Sequence, residues 1–247
     1  PLARAVDALA ARLRAGGVLH YVGAGTSGRL AALDAAEWPP TFGVPATLAQ
    51  AHLAGGEAAL ARAVEGAEDE ADAGTALGSS LARGDALVAL SASGGAAYVV
   101  AAVAAARARG PLTVALTSAS HSELARAAEL VVVLETGPEP LTGSTRLVAG
   151  TAQKIALGTL STALMVRLGK VYQNRMVGLR AGNAKLRARA VRLVIELGRV
   201  DESRARSLLA LAEGEVPVAI VMARSGADPA AARARLASAG GLRDALS

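Results

Sequence analysis

Five short β-rich apolar runs constrain this chain more than anything else in it. They are Val18 to Val22, Ala46 to Gln50, Ala86 to Leu90, Leu112 to Leu116 and Leu130 to Leu134. Each is short enough for a strand, and helix-like stretches alternate with them. Strands alternating with helices imply a parallel sheet covered on both faces. Right-handed crossovers then bring the loops after the first and third runs to the C-terminal sheet edge. In the order 2-1-3-4-5 those two loops flank the switch point, where open sheets bind ligands. The expected fold class is α/β: a doubly wound, five-stranded parallel sheet of flavodoxin-like order with a small C-terminal helical subdomain.

The first run breaks into Gly23-Ala24-Gly25-Thr26-Ser27-Gly28 and resumes as a helix, read here over 27–36 and stopped by Pro39-Pro40. A helix start offers unpaired N–H groups and the positive end of its dipole, so anions settle there. Gly25 lets the backbone come close to a ligand, and Thr26 and Ser27 add hydroxyls. The spacing also fits G-x-G-x-x-G, but the next run ends in Gln50-Ala51-His52, without the acid that holds a ribose. A phosphosugar suits the loop better than a dinucleotide, and a tight turn without a ligand fits it as well. The helix delivers Glu37 into Trp38-Pro39-Pro40-Thr41-Phe42, so an acid is expected beside the cradle. Trp38 and Phe42 should penalise its charged form and raise its pKa.

The third run ends in Ser91-Ala92-Ser93-Gly94-Gly95 before a helix over 96–109. Ser91 or Ser93 alone could be a cap; taken with Thr26 and Ser27 they fit a phosphate. Helices are also read over 2–16, 57–64 and 70–81, and over 120–127 with Ser120 as its cap. Glu65 and Glu68 lie in an acidic run whose bland reading is a solvated turn. Thr142-Gly143-Ser144-Thr145-Arg146 precedes a long helix to about Leu168, apolar enough to be buried, with Gln153 and Lys154 as intrusions that need partners. A helix from Asn183 to Leu197 and three shorter ones follow. The domains are expected at 1–186 and 187–247. The chain opens inside a helix-like segment, so a piece upstream of Pro1 is expected.

Composition narrows the function classes. There are no cysteines, which removes thiolate metal sites and disulfides, and the three histidines are scattered in sequence, so no metal and no other cofactor is expected. Net charge is +5, but the Arg residues are spread along Ala-rich helices and only five aromatics are present. That argues against nucleic acid. No apolar run is long enough for a membrane span and no signal-peptide pattern is seen, so the expected location is cytoplasmic. Arg29 and Arg146 adjoin the hydroxyl loops and could grip a phosphate or carboxylate bidentately. Lys154 and Lys170 are weaker candidates.

GAGTSGRL at 23–30, LDAAEWPPTFG at 33–43, AVEGAEDE at 63–70, TGSTR at 142–146, AGTAQK at 149–154 and LGKVYQNRMV at 168–177 together resemble the N-acetylmuramic acid 6-phosphate etherases, within the sugar isomerase (SIS) proteins. The resemblance covers nearly the whole chain. It implies a lyase that cleaves the D-lactyl ether of N-acetylmuramic acid 6-phosphate, giving N-acetylglucosamine 6-phosphate and D-lactate in cell-wall sugar recycling. It implies a homodimer without metal or nucleotide. It places the acid–base glutamate at Glu37 and a second active-site glutamate at Glu68, with Glu65 as rival. The substrate-binding set is then Gly25, Thr26, Ser27, Arg29, Ser91, Ser93, Gly94, Ser144, Thr145 and Arg146. The chain departs from the family where Gly95, Ala96 and Ala97 replace Arg, Thr and Pro, and where Leu147-Val148 replaces Met-Lys. Two other readings stay open on these residues: a non-catalytic sugar-phosphate sensor resembling the glucokinase regulatory proteins, and an aldose–ketose phosphosugar isomerase.

Overall fold

The computed structural model describes residues 1–179 and 184–247. In chain order the elements are α1 (Leu2–Arg14), β1 (Leu19–Gly23), α2 (Gly25–Phe42), β2 (Ala49–Leu53), α3 (Ala58–Ala61), α4 (Ala71–Ser80), β3 (Ala86–Leu90), α5 (Ala97–Arg109), β4 (Leu112–Thr117), α6 (Glu123–Ala127) and β5 (Leu130–Val133). Then follow α7 (Val148–Arg167), the short strands β6 (Val171–Tyr172) and β7 (Arg175–Met176), and helices α8 (Ala184–Gly198), α9 (Glu202–Leu211), α10 (Val216–Ser225), α11 (Pro229–Ala239) and α12 (Leu242–Ala245). Asn183, expected to open the helix that is α8, lies outside the described residues.

The five main strands pair in parallel in the order β2-β1-β3-β4-β5, as expected. Every residue of β1, β3 and β4 is buried, the continuous apolar pattern of strands covered on both faces. The chain forms two compact units. The first, Pro1–Ala36 with Ala46–Leu164, holds the sheet. One face of the sheet packs Val22, Leu87 and Ala89 against Val99, Ala102, Val103 and Ala106 of α5. α4 lies against α5 with no side chain between them at Gly74 and Gly78, where a Cβ would stand 2.1 Å from Tyr98 O and 2.2 Å from Ala102 O.

The second unit, Glu37–Pro45 with Met165–Ser247, has its own core, centred on Val194 of α8, Leu208 of α9 and Ile220 of α10. Asp201 and Asp228 cap α9 and α11 by accepting from Arg204 N and Ala231 N. The β6–β7 hairpin, not anticipated from the sequence, turns at Gln173 with φ of 55°.

Four local expectations need correction. The second strand does not span 46–50: Ala46–Leu48 form a 3₁₀ turn and the strand runs Ala49–Leu53. The helix after the glycine loop does not stop at Pro39-Pro40 but runs to Phe42. Each proline removes an N–H that would bond the carbonyl four residues back, yet the helix closes one turn later through Gly43 N to Pro39 O at 3.0 Å. The helix read over 57–64 is only a short turn at α3, and the Arg29 side chain donates to the carbonyls of Ala59, Leu60 and Arg62 at its end. Ser122, not Ser120, caps α6, accepting from Ala125 N at 3.3 Å.

Candidate active site

The C-terminal edge of the sheet gathers most of the expected binding residues, all within the first unit. In the loop after β1 the three glycines divide their work. A Cβ on Gly23 would lie 2.7 Å from Gly28 N, and one on Gly28 would lie 2.6 Å from Gly23 O. These two are small so that strand and helix can touch. Gly25 has φ of +53° with nothing near its Cβ position, so its backbone faces open space. Thr26 is half-buried, whereas Ser27 is buried and its Oγ donates to Gln153 Oε1 of α7 at 2.9 Å. The intrusion at Gln153 thus meets its partner in the glycine loop. Lys154 is exposed.

The loop after β3 is built differently. Ser91 is buried and its Oγ accepts from Gly94 N at 3.1 Å. Gly94, at φ of +69°, packs so closely that a Cβ would lie 2.1 Å from Ser122 Oγ. Ser93 is exposed, with a weak bond from Gly95 N at 3.4 Å. α5 begins directly after this loop and has no side-chain cap at Ala96. Its first N–H groups are therefore open to an anion by the geometry of any helix start. Two buried polar atoms among the described residues lack a partner, Ser118 Oγ after β4 and Gln153 Nε2 beside the β1 loop. Orphaned groups of this kind call for a functional or solvent explanation.

The Thr-Gly-Ser-Thr-Arg turn joins the β1 loop through Gly150 of α7. Gly150 N donates to Thr145 O at 3.0 Å, and a Cβ on Gly150 would lie 3.3 Å from Thr26 Cγ2. Ser144 is half-buried; Thr145 and Arg146 are exposed. Sequence reasoning missed Glu139, whose carboxylate accepts from Val148 N and Ala149 N at 2.8 and 2.9 Å. It occupies the start of α7, and no motif marks it. Arg29 is bound to the carbonyls at the end of α3, so its fold role is evident.

The two glutamates are both exposed, Glu68 in a short 3₁₀ turn (Ala67–Asp69) and Glu37 on α2. The expectation that Trp38 and Phe42 would enclose Glu37 is not met. Trp38 is 1 % exposed and Phe42 9 %, but a helix turns about 100° per residue. Neighbours at one and five positions on therefore leave the Glu37 face and enter the core.

The histidines were expected to be unclustered; His20 and His52 instead sit side by side, His20 Nδ1 and His52 Nε2 2.9 Å apart. In β1 and β2 the paired register puts His20 opposite Gln50 and Val22 opposite His52, so residues 32 positions apart share one sheet face. Burial lowers the pKa of both, and that of His52 falls to about 4, with His20 adding a smaller push. Among the described residues no group of three or more His, Cys, Asp or Glu is placed to hold a metal, and no helix is long and apolar enough to cross a membrane.

Residues 1–118 match the SIS domain family. N-acetylmuramic acid 6-phosphate etherases of Salmonella schwarzengrund and Salmonella typhi are each 50 % identical over 248 residues, covering 99 % of this chain and 84 % of the relative. Among solved structures, a phosphoheptose isomerase from Francisella tularensis matches with a TM-score of 0.53 at 17 % identity, over 67 % of this chain and 85 % of that one. An Escherichia coli CFT073 protein in complex with A5P matches with a TM-score of 0.51 at 20 % identity, over 67 % and 78 %. These two likenesses speak to the fold.

Proposed function

We infer the reaction from the family: the chain belongs to the N-acetylmuramic acid 6-phosphate etherases, and it cleaves the D-lactyl ether of that sugar phosphate to N-acetylglucosamine 6-phosphate and D-lactate. In the open-chain sugar, the C2 hydrogen is acidified by the C1 aldehyde. A base removes it, the C3–O bond breaks as the ether oxygen takes a proton, and lactate leaves. Water then adds at C3 of the unsaturated aldehyde and C2 regains a proton. The proposal here is that Glu37 protonates the departing oxygen and Glu68 handles the C2 proton or the water.

The phosphate end is assigned to Ser93, Ser91 and Gly94 with the uncapped start of α5, and to the open backbone at Gly25 and the hydroxyl of Thr26. Thr145, tied through Gly150 to the side of Thr26, and its neighbours Ser144 and Arg146 are assigned to the remaining polar groups, including the lactyl carboxylate. Ser27 and Arg29 support this loop from behind.

The single observation that carries the arrangement is the apolar surface bared around Glu37. Leu33, Ala36, Glu37 and Pro40 form an exposed stripe along α2, with Leu33 47 % exposed. On α7, Ile155 and Val166 are 66 % and 52 % exposed. Apolar groups bared beside a catalytic candidate fit a face covered by a second copy. The proposal is a homodimer in which Glu37 reaches the other chain's site.

Two measurements test this. The wild type should release D-lactate from N-acetylmuramic acid 6-phosphate, and Glu37→Gln and Glu68→Gln should each lose about 10²- to 10⁴-fold. Mixing the two inactive variants with subunit exchange should restore about a quarter of wild-type activity, because half the dimers are mixed and each holds one intact site. No lactate from the wild type overturns the reaction; no recovery on mixing overturns the shared site.

A further inference from the structure

A buried hydrogen-bond chain that the ether cleavage does not use runs from the N-terminal edge of the sheet to a recess at the end of β2. It starts at Asp85, which is 8 % exposed and accepts from Val18 N and Ala82 N, both at 2.9 Å. His20 Nε2 lies 3.4 Å from Asp85 Oδ2, and His20 Nδ1 lies 2.9 Å from His52 Nε2. The imidazole rings are 5.2 Å apart and nearly parallel.

The chain has one consistent proton assignment when both rings are neutral, the state their lowered pKa values favour. Asp85 is an acceptor, so His20 carries its proton on Nε2 and presents a lone pair at Nδ1. His52 must then donate from Nε2, which leaves its Nδ1 bare. A carboxylate at one edge of the sheet thus fixes the tautomer of a histidine near the other.

His52 lines a recess of about 430 Å³, together with Glu57, Tyr98, Leu53, Leu60 and Ala32. That volume lies in the range of small-molecule sites. No Lys or Arg lines it, and Glu57 is its one carboxylate, so it holds nothing to attract an anion. Its walls are largely aliphatic, suited to the C–H face of a sugar, and the His52 acceptor would serve a hydroxyl group. We propose that this recess binds a neutral, polyhydroxylated molecule of sugar size, with His52 Nδ1 as its fixed hydrogen-bond acceptor. The proposal rests on neither Glu37, Glu68 nor the serine loop, and of the elements assigned to the phosphate it shares only α5, through Tyr98.

The test uses the full chain labelled with ¹⁵N-histidine and D-glucose as the probe. Near pH 7, NMR should show His20 and His52 both protonated on Nε2, and glucose should shift the His52 Nδ1 signal saturably while leaving His121 unmoved. Ligand-observed NMR should show glucose binding roughly tenfold weaker in His52→Phe, the loss of about one hydrogen bond, and less weakened in His52→Gln, which retains an acceptor oxygen. Ser93→Ala should bind glucose like the wild type, which separates this site from the phosphate site even if the etherase assay fails. A proton on His52 Nδ1, the absence of a saturable shift, or equal binding by His52→Phe overturns the proposal.

Discussion

The loops after β1 and β3 look alike in sequence, both small and rich in hydroxyls, but the fold uses them in opposite ways. In the β1 loop Gly23 and Gly28 press against each other and Ser27 points inward to Gln153. Its chemistry is spent on joining strand, helix and α7, and only Gly25 and Thr26 are left at the surface. In the β3 loop the buried Ser91 and Gly94 shape the turn, while Ser93 stands exposed before an uncapped helix. A hydroxyl's availability is decided by what its neighbours need, so two similar motifs can hold a scaffold in one case and a ligand in the other.

Glycine substitution gives the largest separation. Gly23→Ala drives a Cβ against backbone at 2.7 Å and should cost about 3 kcal/mol or more, read as a large fall in melting temperature. Gly25→Ala meets open space and only the strain of a positive φ, about 1 kcal/mol. Its harm should fall instead on the KM for the sugar phosphate. Equal stability losses at the two positions would erase the division of labour within the β1 loop.

The two serines sharpen the contrast between loops. Ser27→Ala removes the partner of Gln153 Oε1 beside an Nε2 that already has none, and should lower stability by about 1 to 3 kcal/mol with little change in KM. Ser93→Ala should leave the melting temperature in place and raise KM roughly tenfold, because it removes a donor to a charged phosphate. The reverse pattern would mean that the β1 loop, not the β3 loop, holds the anion.

Much of this was legible in the residues, and what escaped has a common cause. The parallel sheet followed from short apolar runs alternating with helices, and its strands take the flavodoxin-like order expected of that fold class. The alternation of hydroxyl loops with strands placed the loops after β1 and β3 at one sheet edge, as the strand order has them. Sequence adjacency misled wherever a helix intervened: Trp38 is next to Glu37 in the chain but about 100° away around α2. Pairings across strands were invisible for the complementary reason. His20 and His52 carry no spacing signal, since their meeting depends on the β1–β2 register, and Glu139 reaches the start of α7 from an irregular turn.

The smallest expected effect comes from that histidine pair, whose mutual contact is buried in the sheet as Ser27 is bound into its loop. His52 has a pKa of about 4 in the folded chain, against 6.5 when free, mainly through burial. His20 is lowered too, although Asp85 opposes the shift. Around His52 stand His20 from β1, Glu57 and Tyr98 from the recess wall, with Asp85 one histidine away. Unfolding therefore lets these rings take up protons at any pH below their free value, so acid favours the unfolded chain. The stability they contribute is complete above about pH 6.5 and is lost as pH falls toward 4. Acid acts on the whole chain as well as on this pair, so the informative quantity is a difference between variants. The melting temperature of His52→Phe should fall less steeply than that of the wild type between pH 6.5 and 4, whereas Ser93→Ala should follow the wild-type curve, since its hydroxyl is held for a ligand and not for the fold.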